Sequence, residues 1–257
     1  MMKRLLFALC VLTLISCKDN LDKKAEQLTY DEFDSNAKTD STGLSRDSTF
    51  SQIANSPNSV VQTGMDSIKL IPVYKLKKTA DRNIDYGTTT SYLYPTSDDE
   101  DVAFRYFMPG MDLLPGYNLI NVAHYDLPTQ KLSYFFTKPA LIRNVYYPGV
   151  RPDSLYKKPV KRDFFLVSVY DEDTNKDSII NKKDLRRLYF IDAKNTRKIL
   201  LVPSTHSVVR STYDDKSDIM YVYARFDANK NGSPERNEPM SIFWIAMHNP
   251  TEARKLM

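Results

Sequence analysis

Cysteine is almost absent from this chain. Among 257 residues only Cys10 and Cys17 occur, both near the start. The rest of the sequence therefore excludes a disulfide framework, a thiolate metal site and a thiol nucleophile. Histidine is nearly as scarce. His124, His206 and His248 stand far apart with no metal-ligand spacing, and read as structural or surface residues. The 7 glycines form no phosphate-cradling loop, and there is no G-x-S-x-G or H-E-x-x-H. No pair of carboxylates can be placed face to face from sequence. An excess of one charge is also missing. The formal net charge of +4 falls by two once Lys3 and Arg4 are removed, which leaves no basic field for nucleic acid. No segment shows a sustained period of 3.6. The one long apolar run, residues 5–15, is too short for a stable membrane span.

That run has a definite setting. Lys3 and Arg4 precede it, and Leu14-Ile15-Ser16-Cys17 closes it. Basic residues, an apolar core and a small residue before the cut make an export signal. The ending resembles the lipobox of bacterial lipoproteins. The resemblance implies removal of residues 1–16, lipidation of Cys17 with palmitate-type chains, and anchoring to the outer membrane, periplasmic or surface-exposed. Lys18 and Asp19 are similar to the short charged export tag of Bacteroidota surface lipoproteins, although Asn20 interrupts the charged run.

Residues 17–59 are rich in Asp, Ser, Thr, Lys and Asn and lack periodicity. Such a segment buries too little apolar surface to offset its ordering entropy. It is expected to be a disordered tether between the lipid and a body at residues 60–257. From about residue 60 short runs of Tyr, Val, Ile and Phe alternate with Pro, Asn and Asp, a strand pattern. Strands are expected at residues 67–76, 88–94, 102–107, 118–125, 131–136, 140–147, 164–170, 187–192, 198–202, 207–213, 218–226, 241–246 and 254–256. A body of roughly 190 residues is long enough for one sizeable core.

Two twelve-residue stretches carry the chemistry. Residues 173–184 read D-x-N-x-D-x-x-I-N-x-x-D, and residues 227–238 read D-x-N-x-N-G-x-x-E-x-x-E. Oxygen side chains fall at positions 1, 3, 5, 9 and 12 of both. Ca²⁺ takes six to eight oxygens, and this spacing lets one loop wrap around the ion. The expected ligands are Asp173, Asn175, Asp177, the carbonyl of Ile179, Asn181 and Asp184 in the first loop. In the second they are Asp227, Asn229, Asn231, the carbonyl of Ser233, Glu235 and Glu238. One or two calcium ions are expected. Three departures from the EF-hand pattern should lower affinity. Ser178 stands where glycine is wanted, Pro234 occupies position 8, and Asp184 is shorter than Glu. The flanks read as strands, which excludes a helix-flanked EF-hand or dockerin. Ordinary solvated turns are the competing reading, since Asp and Asn favour turns.

The loops are 54 residues apart and belong to a repeat. In that register Phe165-Leu166-Val167 falls on Ile219-Met220-Tyr221, and residues 188–191 fall on 242–245. Residues 141–146 match 208–213 after an insertion at about residues 148–162. Each unit reads strand, strand, acidic loop, strand, strand. A third unit is expected from residues 102–107, 118–125 and 131–136, with its central turn at 108–116.

The expected fold is all-β, built of tandem antiparallel four-stranded meanders. Such tandem meanders resemble β-propeller blades, with a sandwich-like body the alternative. The general look is similar to Bacteroidota lipoproteins with strand-flanked acidic loops, a resemblance that implies no activity. The expected role is a calcium-stabilised binding or scaffolding module of the cell envelope, with a glycan or an envelope protein as partner. A glycan-active hydrolase or a structural accessory subunit is the alternative. Asp98 to Asp101 read as a solvated acid run. Lys157, Lys158, Lys161 and Arg162 read as a solvated basic patch. Trp244 is expected in the core, and the tyrosines suit half-buried strand faces more than sugar-stacking platforms.

Overall fold

Three antiparallel sheets make up most of the fold. The structure, a computed structural model, describes residues 43–78, 84–85, 108–116 and 118–257. These fall within one compact unit, Ser41–Met257, and no helix occurs among them. The first sheet holds β2 (Asn55–Pro57), β3 (Val61–Gln62), β4 (Ile68–Lys75), β8 (Leu119–Asp126) and β9 (Lys131–Tyr134), with β4 and β8 at its centre. The middle sheet runs β16 (Lys198–Leu200), β15 (Arg187–Asp192), β13 (Phe164–Tyr170), β10 (Leu141–Pro148), β7 (Met111–Pro115). The third is a simple meander of β17 (His206–Asp214), β18 (Ile219–Phe226), β19 (Met240–Ala246) and β20 (Arg254–Lys255). Short pairs complete the list of strands: β1 (Leu44–Ser45) with β14 (Ile179–Ile180), β5 (Lys77–Lys78) with β6 (Ile84–Asp85), and β11 (Asp153–Leu155) with β12 (Lys158–Val160).

The middle sheet is buried on both faces, and the sequence of β13 shows why. Phe164 to Val169 is an unbroken apolar run apart from Ser168, as expected of a strand covered on two sides. Phe165, Val167 and Val169 pack with Ile68, Leu70 and Tyr74 of the first sheet. Phe164 and Leu166 pack with Met220, Val222 and Ile245 of the third. Strand side chains alternate between faces, so one strand serves two cores. A smaller cluster joins Leu44, Val73, Ile120 and Ile180.

The middle and third sheets repeat each other in register. One row of paired residues crosses the middle sheet through Val145, Val167, Tyr189 and Leu200. The matching row of the third sheet passes through Ser211, Val222, Phe243 and Lys255. Each first hairpin carries a bulge, between Ile142 and Asn144 and between Val208 and Arg210. The expected alignment of residues 188–191 with 242–245 agrees with this. The alignment of the two earlier strands does not. Phe165 faces the preceding sheet, whereas Ile219 is half-buried and off the core cluster. Met220 is its true counterpart, so one extra residue lies between β13 and the first loop. A one-residue slip reverses every face.

Other expectations also change. Residues 43–59, expected in the tether, belong to the fold: β1 pairs with β14 and Leu44 is 2% exposed. Strand β2 pairs with β4, so the described fold begins before residue 60. In the expected third unit, β8 takes β4 and β9 as its two neighbours. Residues 108–116 are not that unit's central turn, since β7 lies at the edge of the middle sheet. The expected strands at 88–94 and 102–107, the acid run at 98–101, Cys17 and the tether to residue 42 lie outside the described residues. Arg162 is no solvated patch residue. Its buried guanidinium grips Asp218 at 2.6 and 3.1 Å and donates to the carbonyl of Met247.

Candidate functional site

The two acidic loops sit in equivalent places. The first connects β13 to β15 and the second connects β18 to β19, the middle hairpin of each meander. Both fold by the same hydrogen-bond scheme. At position 1, Asp173 accepts from the N–H groups of Asp177 and Ser178, at 3.0 and 2.9 Å. Asp227 does the same for Asn231 and Gly232, at 3.1 and 3.0 Å. At position 3, Asn175 Oδ1 and Asn229 Oδ1 accept from the N–H of position 5, each at 3.0 Å. At position 5, Asp177 and Asn231 accept from the N–H of position 7, at 2.9 and 2.8 Å. The carboxylate at position 12 reaches back to the N–H groups of positions 2 and 9. Asp184 does so at 2.8 and 2.8 Å, and Glu238 at 3.1 and 2.9 Å.

Backbone conformation repeats as well. Positions 4 and 6 are left-handed in both loops, with φ of 62° at Lys176 and 71° at Ser178, then 58° at Lys230 and 73° at Gly232. Ser178 thus takes the glycine conformation without being glycine. The terminal acids are buried although the loops lie at the surface. The Asp173 side chain is 3% exposed, Asp184 is fully buried, and Asp227 and Glu238 are buried too.

The loops differ in what surrounds them. In the first, Ile179 and Ile180 form the short strand with Ser45 and Leu44. Arg46 donates its backbone N–H to the carbonyl of Ser178 at 3.1 Å and sets its guanidinium 3.7 Å from Asp173 Oδ2. In the second loop Pro234 stands at the matching position 8. Asn229 and Asn231 instead turn their amides onto Glu235, at 3.2 and 2.5 Å. The side chains at positions 3, 5 and 9 therefore meet there. In the first loop Asn181 Oδ1 accepts from Lys183 N and caps its own turn.

The loops also touch. The hydroxyl of Thr174 lies 2.6 Å from the carbonyl oxygen of Gly232 and accepts from Leu185 N. A side chain on Gly232 would meet the Thr174 carbonyl at 1.9 Å, so only glycine fits there. Sequence reasoning missed Arg46 and Thr174, because neither contact is local in the chain.

Electrostatics separates the acids. Burial pushes the Asp184 carboxyl up, opposed by donors from Asn181, Asn175 and Thr174. Asp171, just before the loop, is also raised by burial and accepts from the Tyr189 hydroxyl at 2.7 Å. Glu172 turns to Arg187 at 3.6 Å. Neither joins the loop's oxygens through these contacts. Asp184 Oδ1 already takes two N–H bonds, from Thr174 and Asn175, so its other oxygen has the spare acceptor capacity. Each Glu238 oxygen takes one backbone N–H, which leaves both able to accept more. Among the described residues no three His, Cys, Asp or Glu side chains form a metal-holding group. The oxygen sets here are acids mixed with amides and carbonyls, the hard donors that suit Ca²⁺. Among the described residues no helix is long and apolar enough to cross a membrane. No protein-family model, curated protein or solved structure matches the chain.

Proposed function

We propose that this chain is a lipid-anchored lipoprotein of the cell envelope whose β-repeat body is stabilised by calcium. The body acts as a binding or scaffolding module. The observation that carries the calcium reading is the shared loop scheme. Two loops of different sequence fix the same backbone N–H groups on the same numbered oxygens. Ordinary turns would share single bonds, not a twelve-residue pattern. The twelve ligand positions are Asp173, Asn175, Asp177, Ile179, Asn181 and Asp184, then Asp227, Asn229, Asn231, Ser233, Glu235 and Glu238. We read the stacked sheets as blade-like units, because the middle and third sheets repeat in register. The anchoring reading rests on residues 3–17 and places Cys17 in the outer membrane.

Thermal unfolding in EDTA and in millimolar calcium tests the first claim, with calorimetric titration for stoichiometry. Equal melting temperatures and no binding heat would return both loops to plain turns. Mass spectrometry of the mature N-terminus tests the second. Any unmodified start other than Cys17 would sink it.

A further inference from the structure

The third sheet has one face turned away from the middle sheet. Its inward residues Met220, Val222, Phe243 and Ile245 are core. The alternating outward ones include the rings of Tyr221, Tyr223 and Trp244 and the arginines Arg210 and Arg254, beside Thr212, Asp214, Ile219 and Ile242. Tyr221 pairs with Trp244, and Trp244 with Arg254, in one cross-strand row. Arg210 pairs with Tyr223, and Tyr223 with Ile242, in the next. The three rings are half-buried while Arg210 and Arg254 are exposed. Trp244, expected in the core, therefore lies on this outer face.

Two details make the face a platform rather than chance surface. The Arg210 guanidinium lies 3.6 Å from the Tyr223 ring centroid, and that of Arg254 lies 5.3 Å from Trp244. Stacking orders Arg210 without using its N–H donors, whereas Arg254 donates to Glu252. Arg210, Tyr221, Tyr223 and Trp244 make no hydrogen bond to any described residue through their side chains. Only Arg254 has an ionic partner, Glu252. Tyr221 and Trp244 stand on neighbouring strands, whose backbones lie about 4.8 Å apart, as a cross-strand pair on this face.

We propose that this face binds an acidic polysaccharide. Sugar C–H faces lie on Tyr221 and Trp244, while the Tyr223 ring carries the Arg210 guanidinium. The guanidinium of Arg210 grips a uronate carboxylate, for which its planar fork is matched. The inference deepens the binding role proposed above and is independent of calcium.

Trp244 is the chain's single tryptophan, so its fluorescence reports this face alone. The mature chain is titrated with hyaluronan, with neutral dextran and with polyglutamate, in calcium and again in EDTA. Hyaluronan is expected to change the emission and to retard the protein in affinity electrophoresis. Dextran and polyglutamate are expected to do neither. Arg210→Gln, an exposed change that leaves the core intact, should weaken hyaluronan binding about tenfold with no change in melting temperature. Tyr221→Ser should weaken it as well. A silent titration would overturn the proposal. So would equal binding of polyglutamate, which would reduce the face to bare charge, or undiminished binding by both variants. The calcium-dependent melting shift plays no part in this readout, so failure of either reading is seen separately.

Discussion

Ser178 holds a φ of 71° where its counterpart Gly232 holds 73°. A Cβ in that region strains the backbone, and glycine does not. Ser178→Gly is therefore expected to stabilise the fold by about 0.5–1 kcal/mol, partly offset by the looser unfolded chain. Chemical denaturation measures it. Gly232→Ala should lose far more, because its new methyl would run into Thr174. Asp184 makes a second prediction. Burial raises its carboxyl above the ordinary value, so the fold favours its neutral form. Its contribution to ion-free stability is full below the ordinary carboxylate range and is lost as pH rises through the raised value. Calcium needs the ionised form. In EDTA, the melting temperature of the wild type relative to Asp184→Asn should decline with rising pH across that window. Calcium affinity at the first loop should rise across it. A stability difference flat with pH would show that Asp184 does not titrate there.

The strand β1 was illegible in sequence because two residues carry no periodicity, and Leu44 sits in a polar surround. Its docking depends on the cluster of Val73, Ile120 and Ile180, which are distant in the chain. By contrast, β13, β15, β18 and β19 were legible, since long alternating or fully apolar runs bounded by Asn and Asp mark strands directly. The loops between them were legible for the same reason as their chemistry: oxygen spacing is local. The partnership of β4 with β8 was not, because more than forty residues separate them and pairing leaves no mark on either strand. Docking of β1 gives a measurable consequence. Leu44→Ala should cost about 2–4 kcal/mol, the usual loss for an emptied leucine site, read as a lowered denaturant midpoint. Limited proteolysis of the mature chain should stop before Gly43 and leave residues 43–59 attached to the body. A resistant fragment beginning near residue 60 would show that β1 and β2 do not hold.

At the scale of the whole molecule, both loops bear on one stack of sheets. The middle sheet is buried between the other two, and each loop joins two neighbouring inner strands of its own sheet. Ion binding at either loop would therefore tie strands that carry the cores. At about 1 mM calcium and a dissociation constant of about 10⁻⁴ M, linkage gives roughly 1.4 kcal/mol per site. Two sites would raise the melting temperature by about 6–11 °C for a body of this size. Asp173→Ala and Asp227→Ala each remove the position-1 carboxylate, and each should abolish about half of that shift if the loops were independent. They are not independent by geometry. Thr174 donates to Gly232 across the gap, and its backbone N–H holds Asp184, the last acid of the first loop. Order imposed on one loop thus reaches a ligand of the other. Each single variant is expected to lose more than half the shift, and the double variant less than the sum of the two. Residues in contact commonly couple by about 0.5–3 kcal/mol, so the deviation is large enough to measure by thermal unfolding. Thr174→Val, which removes the hydroxyl bridge, should restore additivity while keeping two binding events in the calorimeter. Strict additivity in the wild type would mean that the loops touch without communicating.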